Sequence, residues 1–198
     1  RPRGRRWVCA RRSRAARPLA DRRASQGYRP AVIASHDVYD EFSFGENGPV
    51  AIRRFLTRAR ASWQTAPRFL VLAGDATMDP RDYAGLGDFD LIPTRLLSMS
   101  QIALETASDE WFADLNDDGL PGVAVGRLPV RTVAQAEAMV HKILAYETQA
   151  PGAWTSDITF AADDNDASND FEGETRGIEA GLPAGDAAHA VFRGRAAE

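Results

Sequence analysis

Oxygen-bearing side chains alternate along Asp114-Leu115-Asn116-Asp117-Asp118, and Gly119 follows them. Alternate residues of a tight loop point inward and glycine permits the sharp turn, so Asp114, Asn116 and Asp118 are candidate ligands for a hard cation such as calcium. A complete helix-loop-helix calcium site would carry a bidentate glutamate where Val125 stands, and shorter calcium loops another carboxylate where Gly122 stands. The same residues also suit a solvated turn of Asx type. Nucleophilic chemistry is harder to assemble. Cys9 is the sole cysteine, which excludes an internal disulfide. Its arginine neighbours favour a thiolate, but no histidine lies close to it in sequence, and an incidental thiol is the expectation. His36, His141 and His189 have no second histidine or cysteine at metal-ligand spacing. Ser35, His36 and Asp37 are chain neighbours, whereas a catalytic triad converges from separate loops. Neither a Gly-x-Ser-x-Gly elbow nor a phosphate-binding Gly-x-x-x-x-Gly-Lys loop is present, and Gly85-Leu86-Gly87 lacks the following helix of a dinucleotide fingerprint.

The elements that would position these residues alternate between strand and helix. Ala15 to Gln26 reads as a helix stopped by Gly27, and Ala31 to Ala34 as a short strand. His36 to Ser43 leads into a turn marked by Gly45, Asn47 and Gly48, and Pro49 suits the first position of a helix. Ile52, Phe55, Leu56, Ala59 and Trp63 then recur at helical spacing, leaving Arg53, Arg54, Arg58 and Arg60 for the wet face. Phe69 to Ala73 is a continuous apolar run, as a strand buried on both faces requires. Asp90 to Pro93 is expected to form a shorter strand, and Val123 to Val125 to restart the sheet after an irregular acidic stretch. Thr132 and Gln135 have capping-box spacing ahead of a helix lined by Ala136, Val140, Ile143 and Leu144. Ile158 to Ala161 predicts a further strand, and Phe171 to Leu182 a last helix. The pattern implies an α/β fold with a mostly parallel sheet covered on both sides. Ligands bind such sheets at the C-terminal ends of the strands, which places Asp75, Asp79, Asp82 and Asp109 near a candidate site.

Composition narrows the functional classes. The 198 residues are 44% hydrophobic and carry a formal charge of -4, which hides an uneven distribution. Residues 1 to 30 hold eleven arginines and one acid, Asp21, so the remainder has thirteen basic and 27 acidic side chains. The arginines of Arg1 to Arg17 have no interleaved lysines or base-stacking aromatics beyond Trp7, and the acidic body would repel a phosphate backbone; no nucleic-acid partner is expected. No apolar run is long enough to span a membrane, and no signal peptide follows the charged start.

Several separated segments, in order, resemble the gingipain-type cysteine peptidases. They are Asp37 to Gly45 (DVYDEFSFG), Phe69 to Pro80 (FLVLAGDATMDP), Asp90 to Thr94 (DLIPT) and, above all, Glu105 to Arg131 (ETASDEWFADLNDDGLPGVAVGRLPVR). The helix ending Lys142 to Glu147 matches as well, and the resemblance runs from about Leu19 to Leu182. It implies a caspase-like three-layer α/β sandwich, here incomplete, from a secreted or surface-attached endopeptidase acting on protein or peptide substrates without a required cofactor. Members of that family use a cysteine nucleophile and a histidine base, the histidine in a Gly-His-Gly turn and the cysteine after the next strand; both lie downstream of the segments matched. The sequence contains no Gly-His-Gly. The expectation is therefore an arginine-rich, unordered head over residues 1–18 and the N-terminal part of a peptidase domain over 19–198. No catalytic residue is assigned within the chain, Asp75 and Asp109 are expected as cleft residues, and the missing C-terminal half of the domain is required for activity. The competing class is a calcium-binding adhesion or structural module using Asp114 to Gly119.

Overall fold

The computed structural model describes residues 6–11, 13–87, 89–98, 105–183 and 187–193, with the backbone alone described at 6–11, 13, 14, 153 and 187. Two units make up the chain, residues 1–147 and 148–198.

Trp7-Val8-Cys9-Ala10 is a short apolar run between arginines, and its backbone forms β1, Arg6–Arg11. Helix α1, Ser13–Ser25, follows, then β2, Arg29–Val32. The described part of the arginine-rich head is thus a strand and a helix, where the sequence expectation has an unordered segment through residue 18. The physical reason is that its apolar residues are needed: Ala15, Ala16 and Leu19 are buried. Helix α2, Ser35–Ser43, replaces what the sequence suggests is a lead into a turn. The turn itself begins at Phe44, whose φ of 55° closes the helix. Helix α3, Pro49–Ser62, carries Pro49 at its start. It leads to β3, Pro67–Ala73.

After β3 the chain makes a long excursion. Strand β4, Arg95–Leu97, and β5, Thr106–Ser108, form a small antiparallel pair. A 3-10 turn at Glu110–Phe112 follows, and β6, Ala124–Leu128, returns to the main sheet. Asp90 to Pro93 is not a strand. This segment instead folds under the end of β3, where the Leu91 and Ile92 N–H groups donate to the Asp75 carbonyl at 3.0 and 3.1 Å. Its apolar residues satisfy burial without ladder pairing. Helix α4, Val133–Thr148, ends the first unit. The predicted capping box forms: Gln135 N–H donates to Thr132 Oγ1 at 3.1 Å, and Thr132 N–H to Gln135 Oε1 at 3.1 Å.

The main sheet has the order β2-β1-β3-β6, all parallel. From β1 the chain moves one way to β2, then crosses back over β1 to β3. Connections of one hand that reverse direction place their helices on opposite faces. Side-chain alternation along β3 agrees. Leu70 and Leu72 pack in one core with Ile52, Phe55, Leu56 and Ala59 of α3, whereas Val71 lines a small cavity together with Ala16 and Leu19 of α1. A second small cluster joins Ala15 of α1, Val130 and Ala136 of α4. The result is a three-layer α/β sandwich.

The second unit stands on its own pairing. Strand β7, Asp157–Ala162, runs parallel to β8, Ala187–Phe192, and helix α5, Phe171–Ala180, connects them. The Arg176 guanidinium lies 4.9 Å from the Phe192 ring centroid.

Candidate functional site at the C-terminal edge of the sheet

The connections leaving β1 and β3 run in opposite directions, so the C-terminal ends of these strands bracket the topological switch point, where open parallel sheets leave a crevice. Gly74 and Asp75 stand there. A Cβ added to Gly74 would come within 2.6 Å of Ile92 Cγ1 and 3.2 Å of Leu91 Cβ. Glycine is therefore what leaves room for the Leu91 and Ile92 side chains against the strand end.

Arg127, in β6 beside the end of β3, organises this edge. Its Nε donates to Asp109 Oδ2 and its Nη2 to Asp109 Oδ1, both at 2.7 Å. Its Nη1 donates to the Gly74 and Ile92 carbonyls, also at 2.7 Å. A planar guanidinium can serve a carboxylate in two-point fashion and still reach two carbonyls; an ammonium cannot. Thr94 Oγ1 adds a hydrogen bond to Asp109 Oδ1 at 3.0 Å. Asp75 is held in turn by Arg131, whose Nε donates to Oδ2 at 2.7 Å, while Ala76 N–H donates to Oδ1 at 3.0 Å. The Arg131 guanidinium also lies 3.9 Å from the Phe89 ring centroid. Gly74 and Asp75 N–H groups donate to the Leu128 and Val130 carbonyls, which extends the β3–β6 ladder past both strands.

The structure thus joins Asp75 and Asp109 in one hydrogen-bonded assembly. Each carboxylate is neutralised by an arginine, an arrangement suited to fixing loop geometry rather than to moving protons. Beyond it, the loop after Asp75 is tied internally: Asp79 accepts from the Tyr83 and Ala84 N–H groups at 3.0 and 2.7 Å, and Asp82 from Gly87 N–H at 2.9 Å. These bonds present Met78, Tyr83 and Leu86 largely to solvent. Sequence reasoning missed Arg127 and Arg131. Their signal lies in Gly126-Arg-Leu-Pro-Val-Arg131, where two arginines flank the end of an apolar strand.

Asp114, Asn116 and Asp118 occupy a separate loop packed on α3. Asp114 accepts from Asp118 N–H at 3.1 Å and Gly119 N–H at 3.0 Å, while Asp118 accepts from Leu120 N–H at 2.9 Å and Asn116 Nδ2 at 2.7 Å. Asp117 and Gly119 take positive φ, 57° and 81°. The oxygens thus close the turn themselves, and among the described residues no group of three or more His, Cys, Asp or Glu is placed to hold a metal ion. His36, His141 and His189 are exposed and lie on α2, α4 and β8. Cys9 has its backbone inside β1, paired with β2 and β3; its side chain lies outside the described residues. No described helix is long and apolar enough to cross a membrane.

A three-layer sandwich on a parallel sheet, with a hydrogen-bonded charged assembly at its C-terminal edge, makes this an α/β protein, and its likeness to gingipain structures makes the fold caspase-like. The chain belongs to peptidase family C25, whose model matches residues 8–195, so the match includes most of β1. Among solved structures, the Arg-specific cysteine proteinase gingipain R is 15% identical with a TM-score of 0.70, the match covering 97% of this chain and 42% of that one. The complex of pro- and mature domains of RgpB from Porphyromonas gingivalis matches equally well, at 15% identity and TM-score 0.70 over 96% of this chain and 41% of that one. A structure described as a protease is 18% identical, with TM-score 0.62 over 84% of this chain and 34% of that one. The chain therefore spans less than half the length of these structures. No curated protein matches the sequence significantly.

Proposed function

We propose that this chain forms the N-terminal part of a cysteine endopeptidase domain that hydrolyses peptide bonds through a Cys/His dyad lying outside residues 1–198. The family match over residues 8–195 carries this reading. The sheet edge at Asp75 and Asp109 then forms one wall of the substrate cleft, with both residues acting as positioning groups. A secreted or surface location follows from the same family resemblance, and the Asp114 to Gly119 loop serves as a hydrogen-bonded turn that needs no ion. A thiol-reactive peptidyl chloromethyl ketone applied to the whole protein tests this, with the modified residue mapped by mass spectrometry. The expected adduct is on a cysteine outside residues 1–198, accompanied by loss of peptidase activity. Labelling of Cys9, with activity abolished by Cys9→Ala, would overturn the proposal.

A further inference from the structure

The solvent stripe of α3 reads Val50, Arg53, Arg54, Thr57, Arg58 and Ala61, at i, i+3, i+4, i+7, i+8 and i+11. It faces away from the buried stripe of Ile52, Phe55, Leu56 and Ala59. Phe42, Trp111 and Leu115 line with it an open, shallow groove of about 680 Å³. Thr57 and Ala61 are small, so a partner backbone can approach the helix closely. Arg53 belongs to the wall: its guanidinium lies 4.6 Å from the Trp111 ring centroid and its Nη2 donates to Asp117 Oδ1 at 2.6 Å, neutralising the only acid of the lining. Arg54 donates to the Phe42 carbonyl at 3.1 Å. Among the described residues neither Arg54 nor Arg58 has an ion-pair partner.

The charge of this stripe runs against that of the chain after residue 30. After residue 30 the chain has 27 acidic side chains and thirteen basic ones, yet four of the thirteen fall within Arg53 to Arg60. An apolar trough with unpaired guanidinium groups on its rim complements an amphipathic segment with apolar side chains on one face and carboxylates beside them. We propose that this groove is a docking site for an acidic, amphipathic helical segment of a partner protein, its apolar side chains lying between Phe42 and Trp111 and its carboxylates pairing with Arg54 and Arg58.

Fluorescence anisotropy on the whole protein tests this. The probe is a labelled peptide of about twelve residues, long enough to follow the helix, with leucines at helical spacing and glutamates between them. One control replaces glutamate by lysine, and another is polyglutamate without leucine. Saturable binding of the amphipathic acidic peptide alone is expected. Arg54→Glu with Arg58→Glu should weaken it about tenfold. Ala61→Trp, which fills the trough from an exposed position, should weaken it without altering the circular dichroism spectrum. Equal binding of either control, or affinity unchanged in both variants, would overturn the proposal. Self-association of the protein abolished by the same substitutions would also overturn it, by placing a second copy in the groove.

Discussion

At the residue scale, the edge of the sheet depends on one side chain that the sequence did not single out. The place of Asp75 and Asp109 at the C-terminal edge of the sheet was legible, because each follows an apolar strand or lies in the loop beside it. Arg127 was not, because alternation along β6 does not reveal that its guanidinium turns back across the sheet end to meet Asp109, Gly74 and Ile92. Only 13% of the Arg127 side chain is exposed. Removing it leaves the Asp109 carboxylate without its counter-charge and two carbonyls without donors. Arg127→Ala should therefore lower stability by roughly 2–4 kcal/mol in chemical denaturation of the whole protein. Arg127→Lys should recover less than half of that loss, since an ammonium keeps the charge but not the two-point geometry. Full recovery by lysine would mean that charge alone matters at this edge.

At the element scale, helices whose signals are local were legible and those defined by tertiary partners were less so. The Thr132/Gln135 box announces α4, and both of its hydrogen bonds form. Helix α2 has Ala34 at its N-cap with no side-chain cap bond, so its start has no marker in sequence; burial of Val38 and Tyr39 in the main core selects it instead. The tie between α1 and α4 is also tertiary. Arg23 donates to both Glu147 carboxylate oxygens, through Nη1 at 2.7 Å and through Nη2, and Arg22 Nε stands 3.5 Å away. These hydrogen bonds to Arg23, ahead of its charge, hold the Glu147 carboxyl below its ordinary value of 4.5. A depressed carboxylate stabilises the fold above its unfolded pKa and loses that contribution as pH falls through the folded value. Glu147→Gln should cost about 1 kcal/mol at pH 7. The difference from the unsubstituted protein should shrink as pH drops below 4.5. Urea unfolding midpoints measured across that range check this, and a difference independent of pH would contradict it.

At the scale of the whole molecule, the parallel sheet was legible from continuous apolar runs separated by helical periods, but the strand that completes it was not. Counting Trp7 to Ala10 as part of a basic head hides β1, which lies between β2 and β3 and so carries the ladder on both sides. The charges of its flanking arginines outweigh its four apolar residues in any average over composition, whereas the backbone pairing needs only the short run itself. Among the described residues, β2 and β6 are the edges of this sheet. The β6 edge, Ala-Val-Gly-Arg-Leu, is largely apolar, and Arg127, its only charge, is drawn to Asp109. Such an edge offers unpaired backbone donors and acceptors to another chain, with no charged side chain projecting to block the approach. Residues 1–198 produced alone should therefore self-associate in sedimentation velocity and unfold with poor cooperativity. A polypeptide extended downstream, in which a further strand can cover that edge, should be monodisperse. A monodisperse and cooperatively unfolding 1–198 would show instead that the four-stranded sheet protects its own edge.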